Sequence, residues 1–209
     1  MTAIKICGIT RMEEIKALND LAVDYAGFVF YSKSRRCISM DQAASLKKEL
    51  RPSIKAVGVF VKADISCIAE LIGRSIIDLV QLHGDEPPEY LEQLRAVTKV
   101  PLIKAIRVKD RESFENLEAY DCDYFLLDGF TEGYGGNGQS FHTDLLEGIS
   151  LPQPYFIAGG LSADNVRAIT KKARPYGVDV SSAVEIDGVK DAGKISAFVE
   201  SVRKDEESE

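Results

Sequence analysis

The prediction of the fold starts from Lys5-Ile6-Cys7-Gly8-Ile9-Thr10, close to the start of the sequence. The apolar residues around it predict a short first strand that ends at Cys7, and the amphipathic pattern that follows predicts a helix. A thiol therefore lies where a strand ends and a loop begins. In a closed barrel of parallel strands, that rim is where catalytic groups are found.

The same alternation of strand and helix patterns continues along the whole chain. Strand-like runs begin near Ile4, Tyr25, Lys55, Ile77, Leu102, Asp123, Tyr155 and Gly177. Helical patterns cover residues 12–21, 41–50, 65–73, 88–97, 111–119, 163–173 and 192–202, with only 143–147 as a short candidate after strand six. Strand starts recur about every 20–30 residues, the size of one βα unit. Eight such units predict an α/β fold, a single (β/α)8 barrel of eight parallel strands with outer helices, rather than a doubly wound open sheet.

The predicted barrel domain covers residues 1–204, without a linker or a second domain. The remaining residues, 205–209, are acidic and polar and are predicted to form a disordered tail.

Composition limits the classes of partner. The chain has 209 residues and a formal net charge of −7, which argues against non-specific binding to nucleic acid or anionic membranes. Its four cysteines are scattered, without a C-x-x-C pair, which argues against a zinc ribbon or a disulfide framework and favours a reducing compartment. No signal peptide or long apolar run is recognisable. We therefore expect a cytoplasmic protein that binds a small molecule, and we predict no particular oligomeric state.

Chemically useful side chains lie at the ends of several of the predicted strands. They are Cys7 at the end of strand one, His83 at the end of strand four, Asp128 at the end of strand six, and Asp179 and Ser181 at the end of strand eight. Each has an ordinary explanation by itself, because a lone cysteine is usually a small buried apolar group and an aspartate often caps a helix. Their joint occurrence at one rim predicts an active site there.

Two further segments predict a phosphate site. Gly159-Gly160 follows strand seven and precedes a helix, and Ser181-Ser182 follows strand eight. Barrels often bind phosphate at this position, because glycine lets backbone N–H groups approach an anion and a helix N-terminus points at it. The expected ligand is therefore a small phosphosugar, a phosphate monoester.

A glycine-rich segment follows strand six. Residues 133–138 match the G-x-G-x-x-G dinucleotide pattern literally, but strand six ends several residues earlier, so the structural context of that motif is missing. We instead expect the loop 129–141 to be a mobile lid beside Asp128.

Taken together, the motifs resemble a known family, phosphoribosylanthranilate isomerase. The matching stretches are Lys5-Ile6-Cys7-Gly8-Ile9-Thr10, Gly27-Phe28-Val29-Phe30 with Ser34 and Arg36, Val57-Gly58-Val59-Phe60, Gln81-Leu82-His83-Gly84, Leu126-Leu127-Asp128, Gly135-Gly136-Asn137-Gly138 and Asp179-Val180-Ser181-Ser182. The resemblance runs from the first strand to the last helix. It implies a (β/α)8 barrel of tryptophan biosynthesis that converts N-(5′-phosphoribosyl)anthranilate to 1-(2-carboxyphenylamino)-1-deoxyribulose 5-phosphate by an Amadori rearrangement, without metal or cofactor.

The resemblance also implies roles for individual residues. It implies Cys7 as general base, Asp128 as general acid and Arg36 as the contact for the anthranilate carboxylate. We further expect His83 and Asp179 to contact sugar hydroxyls, and Cys7 to titrate as an unperturbed thiol with a minority of thiolate at neutral pH.

Two positions depart from the family pattern. Ala183 stands where a glycine is usual after the two serines, and we expect this to alter the backbone approach to phosphate. His142 stands where an acidic residue is expected, and we treat it as a surface residue.

The alternation of side chains along a strand makes one structural prediction. If Cys7 points into the barrel, so does Lys5, and Asp179 on the neighbouring strand should share its polar layer, because a buried ammonium needs a partner. Arg35 is interpreted as a solvated loop residue.

Two rival functions remain open. A metal-dependent sugar-phosphate epimerase needs several His and acidic ligands at the rim, whereas only His83 qualifies. A non-catalytic phosphosugar-binding barrel is the rival from another class.

Overall fold

The computed structural model describes residues 1–129 and 143–204. Within them, parallel strands form a closed barrel in the order β1 to β8. The strands are β1 Ala3–Cys7, β2 Tyr25–Val29, β3 Lys55–Phe60, β4 Leu79–Leu82, β5 Leu102–Val108, β6 Tyr124–Gly129, β7 Tyr155–Ala158 and β8 Gly177–Val180. β1 pairs with β8 and closes the barrel, with Lys5 opposite Asp179. The predicted (β/α)8 fold is confirmed.

The helices match the sequence prediction in most places. They are α1 Met12–Asn19, α2 Met40–Glu49, α3 Ile65–Gly73, α4 Pro88–Val97, α5 Val166–Ala173 and α6 Ala192–Arg203. The short candidate after strand six is a 3-10 turn, Thr143–Leu146.

One predicted helix, at 111–119, is wrong. Two 3-10 turns take its place, Arg111–Phe114 and Leu117–Ala119. The hydroxyl of Ser113 accepts hydrogen bonds from the backbone N–H groups of Lys109 and Asp110, and Asn116 adopts a left-handed conformation with φ 57°. Short polar side chains that bond to nearby backbone compete with helix formation, which explains the break.

The barrel has an apolar layer on each side of its strands. Along β6, Phe125 and Leu127 join the large cluster between strands and helices, whereas Leu126 belongs to a second cluster with Ile103 and Phe156. Because side chains alternate along a strand, this second cluster fills the barrel interior.

Aromatic rings close the end of the barrel where the strands begin. The ring of Phe156 lies 5.6 Å from Tyr25, 5.7 Å from Tyr124 and 5.2 Å from Tyr176, all in edge-on arrangements. The interior is therefore apolar at this end, which leaves the opposite rim for polar groups.

A small hairpin separates β8 from α6. Its strands are β9 Glu185–Ile186 and β10 Val189–Lys190, and they pair antiparallel. The turn residues Asp187 and Gly188 have φ of 49° and 82°. Two positive φ values in an Asp-Gly pair are typical of a tight hairpin turn.

The structure does not describe residues 130–142 and 205–209. The G-x-G-x-x-G segment 133–138, His142, the proposed acidic tail and nearly all of the proposed lid therefore lie outside the described residues. In the part that is described, no helix is long and apolar enough to cross a membrane.

Candidate active site

A cavity of about 480 Å³ opens at the carboxyl ends of the strands. All nine site residues predicted from sequence line it, together with Ala183: Cys7, Arg36, His83, Asp128, Gly159, Gly160, Asp179, Ser181 and Ser182. The structure thus brings the predicted residues together at one rim.

Cys7 is the last residue of β1, and its thiol is half-buried in this cavity. A Cβ atom at Gly27 on the neighbouring strand would lie only 2.8 Å from Sγ of Cys7, so glycine leaves the space that the thiol occupies. Burial raises the pKa of Cys7, while the ammonium groups of Lys5 and Lys190 lower it in part. The expectation of an unperturbed thiol is therefore corrected.

Lys5 and Asp179 form an ion pair inside the barrel. Nζ of Lys5 lies 2.8 Å from Oδ2 of Asp179, and the lysine is fully buried, which confirms the prediction from the alternation of side chains. Burial alone would lower the pKa of Lys5, but the charges and hydrogen bonds of Asp179 and Cys7 together outweigh it and raise that pKa. Oδ1 of Asp179 is buried without a hydrogen-bond partner among the described residues. Asp179 also lines the cavity, so its carboxylate lies beside any molecule bound there.

Asp128 stands near the end of β6 in contact with His83. Nε2 of His83 lies 3.1 Å from Oδ2 of Asp128, and Nδ1 lies 2.7 Å from Nε2 of Gln81. Both contacts are satisfied when the Gln81 amide N–H donates to Nδ1 and the Nε2–H of His83 donates to Asp128. A Cβ at Gly159, which has φ +86°, would lie 2.7 Å from Oδ1 of Asp128. Gly159 therefore also makes room for the carboxyl group.

Arg36 packs against the thiol loop, residues 8–11, which follows Cys7. Its Nε and Nη2 donate to the two carboxylate oxygens of Glu185 at 2.6 and 2.9 Å. A Cβ at Gly8 would lie 2.3 Å from Cδ of Arg36, so the arginine stem packs directly over that glycine. Arg35, expected to be solvated, is 62% exposed but also donates to Glu185, so that interpretation is only partly right.

The predicted phosphate end is built from two loops. Gly159 and Gly160 both have positive φ, 86° and 61°, and the side-chain amide of Asn165 donates to the carbonyl of Gly160 at 2.8 Å. Ser182 is exposed at this end. The hydroxyl of Ser181 instead donates to the carbonyl of Cys7 at 2.9 Å, so this side chain joins β8 to β1.

Glu185 and Lys190 are functional candidates that sequence reasoning missed. Nζ of Lys190 lies 2.6 Å from Oε1 of Glu185 and also donates to the carbonyl and hydroxyl of Ser181 at 3.0 and 3.2 Å. The signal that could have found them is Asp187-Gly188, a hairpin turn that places its flanking residues opposite each other.

The described residues contain no group of three or more His, Cys, Asp and Glu side chains arranged to hold a metal ion.

Comparisons with known proteins agree on one family. The model of the family described as N-(5'phosphoribosyl)anthranilate (PRA) isomerase matches residues 4–201. A protein from Acetivibrio thermocellus named N-(5'-phosphoribosyl)anthranilate isomerase is 45% identical to this chain. The alignment covers 98% of this chain and 97% of that protein.

Solved structures agree with this result. The phosphoribosyl anthranilate isomerase of Thermotoga maritima is 35% identical with a TM-score of 0.88, over 98% of this chain and 100% of that one. A second structure, at 32% identity and a TM-score of 0.84 over 98% and 100% of the two chains, is a phosphoribosyl anthranilate isomerase in complex with reduced 1-(o-carboxyphenylamino)-1-deoxyribulose 5-phosphate.

Proposed function

The chain belongs to the N-(5'-phosphoribosyl)anthranilate isomerase family, and we propose that it uses Cys7 as general base and Asp128 as general acid. It is an isomerase of tryptophan biosynthesis that acts on N-(5′-phosphoribosyl)anthranilate. The product is 1-(2-carboxyphenylamino)-1-deoxyribulose 5-phosphate. The observation that carries the proposed roles is that Cys7, Asp128 and Arg36 line one cavity.

The reaction begins with opening of the ribose ring. A protonated Asp128 gives its proton to the ring oxygen, the C1′–O bond breaks, and the anthranilate nitrogen shares its lone pair with C1′ to form an iminium. The hydrogen bond from His83 engages Oδ2, so we assign the proton transfer to Oδ1. Both ring nitrogens of His83 already contact protein groups, which favours a role in orienting Asp128 over the expected contact with a sugar hydroxyl.

The second step moves a proton away from C2′. The iminium makes this hydrogen acidic, the thiolate of Cys7 removes it, and the resulting enolamine tautomerises to the ketone. The positive charges of Lys5 and Lys190 support the thiolate, because they lower the pKa that burial raises.

The remaining residues bind the two ends and the middle of the substrate. Arg36 suits the anthranilate carboxylate because a guanidinium binds a carboxylate through paired N–H groups. The carboxylate of Asp179 accepts a hydrogen bond from a sugar hydroxyl. The phosphate lies against the loops that contain Gly159, Gly160, Ser181 and Ser182, where the two glycines, both at positive φ, let the backbone approach an anion.

The test is turnover of N-(5′-phosphoribosyl)anthranilate by the purified protein, followed by the loss of anthranilate fluorescence. We expect Cys7→Ala and Asp128→Asn each to lower kcat by about 10²–10⁴-fold, because each removes one proton-transfer group. Cys67→Ala and Asp64→Asn replace an exposed thiol and an exposed carboxylate and should retain normal turnover.

Each assignment has its own contradicting result. Near-normal kcat in folded Cys7→Ala would remove the base assignment, and near-normal kcat in Asp128→Asn would remove the acid assignment. Absence of turnover in the wild-type protein would contradict the function itself.

A further inference from the structure

We infer that Glu185 is a positioning residue that holds Arg36 ready for the anthranilate carboxylate of the substrate. This inference deepens the proposed function and rests on it. Glu185 would not touch the substrate; it would act through the guanidinium of Arg36.

The contact between the two side chains is specific. Glu185 accepts hydrogen bonds from Nε and Nη2 of Arg36 at 2.6 and 2.9 Å. This bidentate arrangement fixes the plane of the guanidinium group. A guanidinium has five N–H donors, so those of Nη1 and the second of Nη2 stay available. The arginine stem is also fixed, because it packs over Gly8.

The charges around Glu185 favour the binding of a second anion. The carboxylate of Glu185 contacts three cationic side chains, those of Arg35, Arg36 and Lys190. Burial alone would raise the pKa of Glu185, but the hydrogen bonds and positive charges of Arg36 and Lys190 together outweigh it and lower that pKa to about 2. The carboxylate is therefore ionised at neutral pH, and this group of four side chains retains a surplus of positive charge that a substrate carboxylate can balance.

The hairpin that carries Glu185 is itself anchored to the thiol loop. One carboxylate oxygen of Glu14 accepts from the backbone N–H of Lys190 at 3.1 Å, and the other accepts from those of Thr10 and Arg11 at 2.6 and 2.9 Å. Nζ of Lys194 donates to the carbonyl of Glu185 at 2.8 Å. Because both ends of the contact are fixed, little side-chain entropy is lost when Arg36 binds a ligand.

The test compares two substrates in the full-length enzyme. The first is N-(5′-phosphoribosyl)anthranilate, and the second is the corresponding phosphoribosylated aniline, which lacks the carboxylate. We expect Glu185→Gln to raise KM for the first substrate by roughly tenfold with kcat nearly unchanged, because carboxylate binding is lost in the ground state and the transition state alike. The kinetics of the second substrate should not change.

A double-mutant cycle distinguishes positioning from a purely structural role, because it measures whether the effects of two substitutions on KM add. In the Arg36→Ala background, Glu185→Gln should cause no further rise in KM, because the residue through which it acts is absent. Arg51→Ala is the matched control, since Arg51 is an exposed arginine that pairs with Asp20 at 3.6 Å outside the cavity, and it should leave KM unchanged. Glu185→Asp keeps the charge but is too short for the same paired contact, and it should raise KM in the same substrate-specific way.

Several results would overturn the inference. An equal loss with both substrates, or an effect of Glu185→Gln that adds fully to that of Arg36→Ala, removes the positioning role and leaves the proposed function standing. If Arg36→Ala alone leaves KM unchanged, the carboxylate assignment in the proposed function fails and the inference fails with it.

Discussion

Two buried lysines sit on opposite sides of the barrel wall, and each is paired with a carboxylate. Lys5 lies inside the barrel, 2.8 Å from Asp179, and is fully buried. Lys104 points outward from β5, lies 3.0 Å from Glu86 and is only 2% exposed. By distance and burial the two pairs are nearly equivalent.

The two pairs differ in the hydrogen-bond partners of the carboxylate oxygens. Both oxygens of Glu86 are satisfied, Oε1 by the backbone N–H of Lys62 at 2.7 Å and Oε2 by that of Gly84 at 3.0 Å. Oδ1 of Asp179 has no partner among the described residues, and Asp179 belongs to the cavity lining. The outer pair ties loops together, whereas the inner pair lies in the cavity lining, where we propose that it contacts the substrate.

The largest expected effect concerns the outer pair. Glu86→Gln leaves the ammonium of Lys104 buried without its counter-charge and should lower the free energy of unfolding by about 3–5 kcal/mol. Urea denaturation measures this loss, with Glu89→Gln on exposed α4 surface as the control. An unchanged unfolding free energy would show that the outer pair is not structural.

Disruption of the inner pair should lower stability in the same way, because Lys5 also loses its counter-charge, but it should lower activity in addition. Asp179→Asn should lower kcat/KM by roughly 100-fold, because a charged acceptor for a sugar hydroxyl is lost, and a charge-assisted hydrogen bond contributes about 1.5–3 kcal/mol. Steady-state kinetics on the folded fraction gives this value. If Glu86→Gln lowers kcat/KM as much as Asp179→Asn does, the distinction between the two pairs breaks down.

The smallest expected effect separates the two lysines directly. Lys5→Met should raise the pKa of Cys7 further, because the positive charge of Lys5 lowers it in the wild-type protein. The pH midpoint of Cys7 alkylation by iodoacetamide should therefore move to higher pH, measured with the exposed Cys37 and Cys67 replaced by serine. Lys104→Met is the control and should leave the midpoint in place; an equal shift in both variants would contradict the account.

The strands and the rim could be predicted because the signals are local. Cys7 and Asp128 follow runs of apolar residues, and side-chain alternation then fixes Lys5 and Asp179 as interior neighbours across β1 and β8. The prediction of a helix at 111–119 was wrong because the hydrogen bonds of Ser113, rather than the apolar period, determine the conformation of that segment.

The contacts of Arg36 could not be predicted in the same way. Glu185 lies 149 residues further along the chain, and no local pattern links the two. The closeness of Lys190 to Cys7 likewise depends on how the hairpin of β9 and β10 folds against Glu14. These contacts arise only from tertiary packing, which the period of a single strand or helix does not encode.

The most direct test of the central claim is a crystal structure of this protein with reduced 1-(o-carboxyphenylamino)-1-deoxyribulose 5-phosphate. The account predicts the sugar chain between Sγ of Cys7 and the carboxyl group of Asp128, with the aromatic carboxylate on Arg36 and the phosphate at Gly160 and Ser182. A ligand bound with its sugar chain away from either Cys7 or Asp128 would contradict it.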